Sequence, residues 1–259
     1  MRSVGIVGMG VIGRAIARAV TAGIPGIALA GVSVRDPAKA AGYPVLPLPE
    51  LIRRSDLVVE AATQAALRDF GPDVLRAGKD LMVLSVGALV GVLEEWARLA
   101  AAHRCRILVP SGAIVGLDGV KGAREGAITA VTMETRKPPR GLAGAPYIEQ
   151  HRIDLDAITR ETLLFEGPAT EAVRAFPANV NVVAALSLAG VGPERTRIRI
   201  FAVPGLPRNQ HRVVVEGEFG RLTIEIENVP SENPRTGRLS YLSAIAMLRE
   251  LGAPVRVGT

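Results

Sequence analysis

The sequence predicts an α/β chain in which a doubly wound parallel sheet is followed by a second, α+β domain. Three observations predict it. The chain opens on an apolar run (Val4, Ile6, Val7), followed by Gly8, Gly10 and Gly13 and a helix-prone stretch at 14–19. From residue 3 to about 109, short apolar runs alternate with helix-like stretches, the rhythm of βαβ units. Beyond about residue 127 the texture changes to β-rich runs separated by turns.

The opening stretch carries the spacing G-x-G-x-x-G between a strand and a helix, the context in which this pattern reads as a dinucleotide-binding turn. Gly8 permits the tight turn, Gly10 admits a pyrophosphate to the backbone and Gly13 lets helix and strand pack closely. The N–H groups of Val11, Ile12 and Gly13 then face the phosphates at the positive end of the helix dipole. Residues 27–34 (IALAGVSV) form the second strand, apolar throughout because both faces are buried. Where this strand ends, an acid often holds the adenosine ribose; here Val34 stands there, with Arg35 and Asp36 after it. Asp36 favours NAD if it reaches the ribose, Arg35 allows NADP by pairing with a 2'-phosphate, and the expectation is that both cofactors are accepted.

A short helix at 47–53, a strand at 57–60, a helix pattern at 63–77 interrupted by Gly71-Pro72, and a strand at 81–84 follow. An amphipathic helix at 93–103 and a strand at 106–109 complete the first sheet, so the Rossmann domain is drawn at 1–120. Small residues at 110–114 (PSGAI) suit a backbone that approaches a nicotinamide. The second domain, 121–259, takes a β-rich stretch at 127–136 and strands at 198–203, 211–216 and 222–227, read as antiparallel. Helices are expected at 178–189 and 239–251; the terminal helix, 237–251, is a candidate to return to the first domain.

Hydrophobic residues make up 48% and charged residues 22% of the 259, ordinary values for a globular chain. The longest uncharged apolar stretch, 81–93, is too short to span a membrane. Arg14 and Arg18 interrupt what could otherwise resemble a secretory leader, so a cytoplasmic protein is expected. One cysteine, Cys105, can make no internal disulfide and excludes a cysteine-rich metal centre, and no metal is expected. The net charge of +6 is scattered rather than blocked and few aromatics are available for stacking, which argues against nucleic acid. The basic balance suits anionic ligands.

A nicotinamide enzyme needs a group that moves a proton in step with the hydride. There are three histidines. His103 ends a helix, a routine place for a cation, and His151 sits in a polar stretch, EQHRID. His211 follows PRNQ and opens the apolar strand HRVVV, so it projects from a scaffolded edge and is the candidate base, neutral near pH 7. Asn179 and Asn181 precede an apolar helix; one is the expected N-cap and the other, a polar group near a buried surface, is a candidate to bind a nicotinamide amide or a carboxylate. The turn Asn233 to Gly237 offers N–H and hydroxyl donors to an anion, or simply caps the last helix.

The stretches SVGA (85–88), PSGAIVGLDG (110–119), TRKPP (135–139), FPANVNVVAALSLAG (176–190), NQH (209–211) and NPRTGRLSYLSAIAMLR (233–249) together resemble the L-aspartate dehydrogenase family, from end to end of the chain. The resemblance implies a Rossmann domain joined to a catalytic domain, usually in a homodimer. It implies oxidation of L-aspartate by NAD or NADP to iminoaspartate, which feeds NAD biosynthesis or hydrolyses to oxaloacetate and ammonia. It places His211 as the catalytic histidine, and Ala113 and Asn181 at cofactor contacts. Two substrate carboxylates call for cations or aimed donors; Arg136, Lys137, Arg208 and Arg235 are candidates, with Asn233 and Thr236 behind them, and Lys137, Asn233 and Thr236 are taken as the substrate-binding set. Val34, where the family often carries an acid, departs from strict NAD use. Another small amino dicarboxylate or imine as substrate, or a non-catalytic NAD(P) sensor, remains the alternative.

Overall fold

The computed structural model describes residues 1–40, 42–177, 181–229 and 237–258. The chain divides into two units: Met1–Pro110 with Ser240–Val257, and Ser111–Leu239 with the last two residues. The second unit thus begins earlier than the boundary after residue 120 that composition suggests.

In the first unit, β1 (Arg2–Val7), α1 (Val11–Thr21), β2 (Ile27–Ser33), α2 (Leu48–Arg54), β3 (Leu57–Glu60), α3 (Gln64–Arg76), β4 (Asp80–Val83), α4 (Leu93–Ala102) and β5 (Ile107–Leu108) alternate along the chain. The strands lie in the order β2-β1-β3-β4-β5, all parallel. The order reverses between β1 and β3, which is the place where a ligand meets the carboxyl ends of such strands. All four residues of β3 and of β4 are buried, as central parallel strands require. The helix α3 runs unbroken through Gly71-Pro72, where the sequence suggested an interruption. Gly71 is held against the Trp96 ring of α4 so closely that any Cβ would strike it, and this packing outweighs the local propensity.

The second unit contains α5 (Leu117–Ala123), β6 (Ile128–Lys137), α6 (Pro146–Gln150), β7 (Thr162–Pro168), α7 (Ala169–Ala175), α8 (Asn181–Ala189), β8 (Thr196–Ala202), β9 (Asn209–Gly217) and β10 (Gly220–Asn228). Its sheet has the order β10-β9-β6-β8-β7. One expectation is corrected here: β8 runs parallel to β6, and the remaining pairs are antiparallel. The long crossover through β7, α7 and α8 allows it, since parallel neighbours need such a connection. Along β6 the residues Val131, Met133, Thr135 and Lys137 are buried and those between them are not, so one face of this strand is covered.

The last helix, α9 (Leu239–Gly252), buries Ala244 and Leu248 in the core that also holds Val4, Ile6, Ile16, Val20 and Met82. Among the described residues no helix is long and apolar enough to cross a membrane. Among them too, no group of three or more His, Cys, Asp or Glu is placed to hold a metal ion.

Candidate active site

The glycine turn of the first unit is built for close approach. Gly8 has φ +94°, a conformation that L side chains rarely adopt, and a Cβ there would meet the carbonyl of Ala61 at 2.5 Å. A Cβ on Gly13 would strike the carbonyl of Gly8, so the start of α1 lies against the turn. Gly10 differs: a Cβ there would meet nothing within 4 Å. As the N-cap of α1 it carries no side chain to bond the first-turn N–H groups, which stay available to an anion. Open space at Gly10 beside uncapped donors fits a pyrophosphate.

Glu60, at the end of β3, was missed by sequence reasoning. Its carboxylate is fully buried and accepts from Ala62 N (2.8 Å), Leu84 N (3.1 Å), Ser85 N (2.8 Å) and Ser85 Oγ (2.8 Å). Burial pushes its pKa above the usual range and the four donors offset part of that rise. The carboxylate thereby ties the loops that leave β3 and β4 to each other, at the ligand-binding edge of the sheet. An acid closing the run LVVE was the available signal. After β2, Asp36 is committed locally: its Oδ1 accepts from Ala38 N at 3.1 Å and caps a turn of 3₁₀ helix at Pro37–Ala40. Arg35 beside it is exposed.

In the second unit the sheet brings His211 and Lys137 to one face. Thr135 on β6 is the register partner of His211 on β9, and Thr135 Oγ1 lies 3.1 Å from His211 Nδ1. Lys137, two residues beyond Thr135, projects to the same side. Thr135 is 3% exposed, Lys137 5% and His211 5%, so the two ionisable groups are almost, but not fully, sealed. Burial pushes the His211 pKa down to about 3, with the neighbouring Lys137 charge contributing. Burial likewise lowers Lys137 to about 8. His211 is therefore neutral near pH 7 and a much weaker proton acceptor than an ordinary histidine.

Arg136 faces the other way. It bonds Glu134 and Glu161, each at 3.0 Å, and lies over the Phe201 ring, so it is not a member of this cluster. Arg208 is exposed, and so are His103 and His151. Ala113 is buried, and its carbonyl accepts from Asn228 Nδ2 at 3.0 Å. Asn228 itself, a buried amide ending β10, gave no pattern in the sequence beyond the polar residue that closes an alternating strand. Asn181 opens α8, whose next six residues are all buried. Asn179, Asn233, Arg235 and Thr236 lie outside the described residues. In sum, Gly8, Gly10, Val11, Ile12, Gly13 and Arg35 belong to the first unit, and Ala113, Lys137, Asn181 and His211 to the second.

Comparison with known proteins accounts for both units. Residues 118–251 match the family model "Aspartate dehydrogenase, C-terminal", and residues 8–110 match "Homoserine dehydrogenase, NAD binding domain". The chain is 46% identical over 271 residues to an L-aspartate dehydrogenase of Methanosarcina barkeri, covering 100% of both. It is 46% identical to L-aspartate dehydrogenase 3 of Bordetella bronchiseptica, covering 99% of this chain and 97% of that one. The crystal structure of aspartate dehydrogenase from Thermotoga maritima superposes with a TM-score of 0.80 at 26% identity, over 100% of both chains. With an NAD-binding domain at its N-terminus and a matching C-terminal domain, the chain belongs to the aspartate dehydrogenase family.

Proposed function

We propose that the protein is an L-aspartate dehydrogenase. It oxidises the CH–NH2 group of L-aspartate to iminoaspartate, which then enters NAD biosynthesis or hydrolyses to oxaloacetate and ammonia. What supports this most is a buried imidazole and a buried amine on one face of the second sheet, in a chain 46% identical throughout to proteins of that name. The nicotinamide cofactor, when bound, supplies the hydride acceptor. Gly8, Gly10, Val11, Ile12 and Gly13 would hold its pyrophosphate, with Ala113 and Asn181 as further contacts. Arg35, exposed after β2 while Asp36 caps its own turn, favours acceptance of NADP as well as NAD. Lys137, Asn233 and Thr236 are assigned to the substrate. His211 is the catalytic imidazole; with Nδ1 on Thr135, Nε2 is the nitrogen left for the reacting groups. The protein is read as a cytoplasmic homodimer, to be checked by light scattering after gel filtration.

The direct test follows nicotinamide reduction with L-aspartate at alkaline pH, using NAD and NADP in turn, with L-glutamate as the competing substrate. Reduction with aspartate is expected with both nucleotides, and cofactor binding without any turnover would instead favour a sensor. His211→Asn is expected to cost ~10²–10⁴-fold in rate. Arg35→Ala is expected to raise the KM for NADP about tenfold or more and leave that for NAD nearly unchanged; an unchanged NADP KM would remove Arg35 from the site.

A further inference from the structure

Among the described residues, the covered face of the second sheet holds two ionisable groups, His211 and Lys137, and they are not equivalent as proton acceptors. Thr135 is buried, and among the described residues its hydroxyl has His211 Nδ1 as its hydrogen-bond partner. A buried hydroxyl gives its proton to the acceptor at hand rather than leave it unshared. We infer that Oγ1–H donates to Nδ1, which puts the neutral imidazole's own proton on Nε2. In that tautomer His211 presents a donor, not a lone pair, to whatever lies beyond it. Lys137, on the same face and near enough for its charge to act on His211, carries the other nitrogen that can take a proton.

We propose that the Lys137 amine accepts the proton of the substrate ammonium, and that Thr135 is the positioning residue that holds His211 beside it as a neutral donor. The assignment rests on the reading of the protein as an L-aspartate dehydrogenase. In this step one N–H bond of the substrate ammonium breaks and its electron pair stays on the substrate nitrogen. The proton forms a new N–H bond on Lys137 Nζ. Amine and ammonium exchange roles, so charge and electrons balance without a co-reactant. His211 Nε2–H is then placed to donate to a substrate oxygen or to the nitrogen once it bears a lone pair.

Among the described residues, β9 contributes His211 to the covered face beside Lys137, and β8 contributes Ile198, Ile200 and Ala202. The buried run 182–187 of α8 has no ionisable side chain, and Glu171 and Arg174 of α7 are exposed. Because burial favours the neutral amine, acceptor strength is available above about 8 and is lost as pH falls through it.

The experiment measures kcat/KM for L-aspartate with the full-length protein from about pH 6 to about pH 10. The wild type is expected to rise through about pH 8 and level off. Lys137→Ala is expected to fall ~10²–10⁴-fold and to lose the plateau, and added small primary amines are expected to restore rate. Lys137→Arg keeps the charge but cannot give up its proton at these pH values, so it is expected to fail like Lys137→Ala; recovery with arginine would mean that charge alone is needed and would overturn the proposal. Retention of the plateau with a loss under about threefold in Lys137→Ala would overturn it as well. Lys137→Met, which keeps the apolar stem, replaces Lys137→Ala if the latter does not fold. Imidazole ¹⁵N spectra of the unsubstituted protein are expected to show His211 protonated on Nε2, and the opposite tautomer would overturn the role given to Thr135. A wild type that oxidises no aspartate with either nucleotide would instead sink the functional reading on which the proposal stands.

Discussion

His211 is where a single residue couples stability to pH. Its pKa falls from 6.5 to about 3 on folding, chiefly by burial. Between those values the unfolded chain binds a proton that the folded chain refuses, so stability is fully present above about 6.5 and is lost as pH falls toward 3. Urea unfolding of the wild type from pH 7 to pH 4 is expected to lose on the order of a few kcal/mol. His211→Asn is expected to show a shallower decline; parallel curves would show that the imidazole is not buried as described. The candidate histidine was legible in the sequence as the polar residue ahead of the apolar run RVVV, but β9 already starts at Asn209 and His211 is buried within it rather than projecting from an edge. Its partners were not legible: Thr135 is 76 residues away in sequence and becomes a neighbour only through the pairing of β6 with β9.

The turn between β1 and α1 separates folding from binding within one element. Gly10 has an ordinary φ of −70° and open space where its Cβ would stand, whereas Gly13 faces the carbonyl of Gly8. Gly10→Ala is thus expected to keep its melting temperature while weakening NADH binding, read by fluorescence, about tenfold or more. Gly13→Ala is expected to destabilise by about 1–3 kcal/mol, because the colliding atom is backbone and cannot rotate away. Equal loss of stability in both variants would refute this division. The turn was readable from spacing because each glycine serves a local need. The edge strand β7 was not, since its pattern of half-exposed positions ending in Gly167-Pro168 gives no clean alternation.

For the molecule as a whole, the telling feature is the chain's last helix. Leu248 is fully buried in the core of the N-terminal unit, against strands that begin at residue 2. Leu248→Ala is expected to cost about 2–5 kcal/mol and to show first in the unit that carries the glycine turn, as faster amide exchange in β1 and α1. Unchanged exchange there would mean that α9 does not close this core. The sequence marked this helix as a candidate to return to the first domain, but its weak amphipathicity did not show that Ala244 and Leu248 are the residues that enter the core.

Local chemistry determined a great deal without coordinates. The alternation of apolar runs and helices fixes a parallel sheet, because strands buried on both faces must be apolar throughout and need helical crossovers. The glycine spacing likewise marks the anion turn, since each glycine answers a steric demand made by its near neighbours. Only the tertiary structure decided the parallel pairing of β8 with β6, the four donors gathered on Glu60, and the meeting of Thr135, Lys137 and His211. Those depend on register and on contacts between residues far apart in the chain, and a one-residue shift of a strand would turn every one of its side chains to the opposite face.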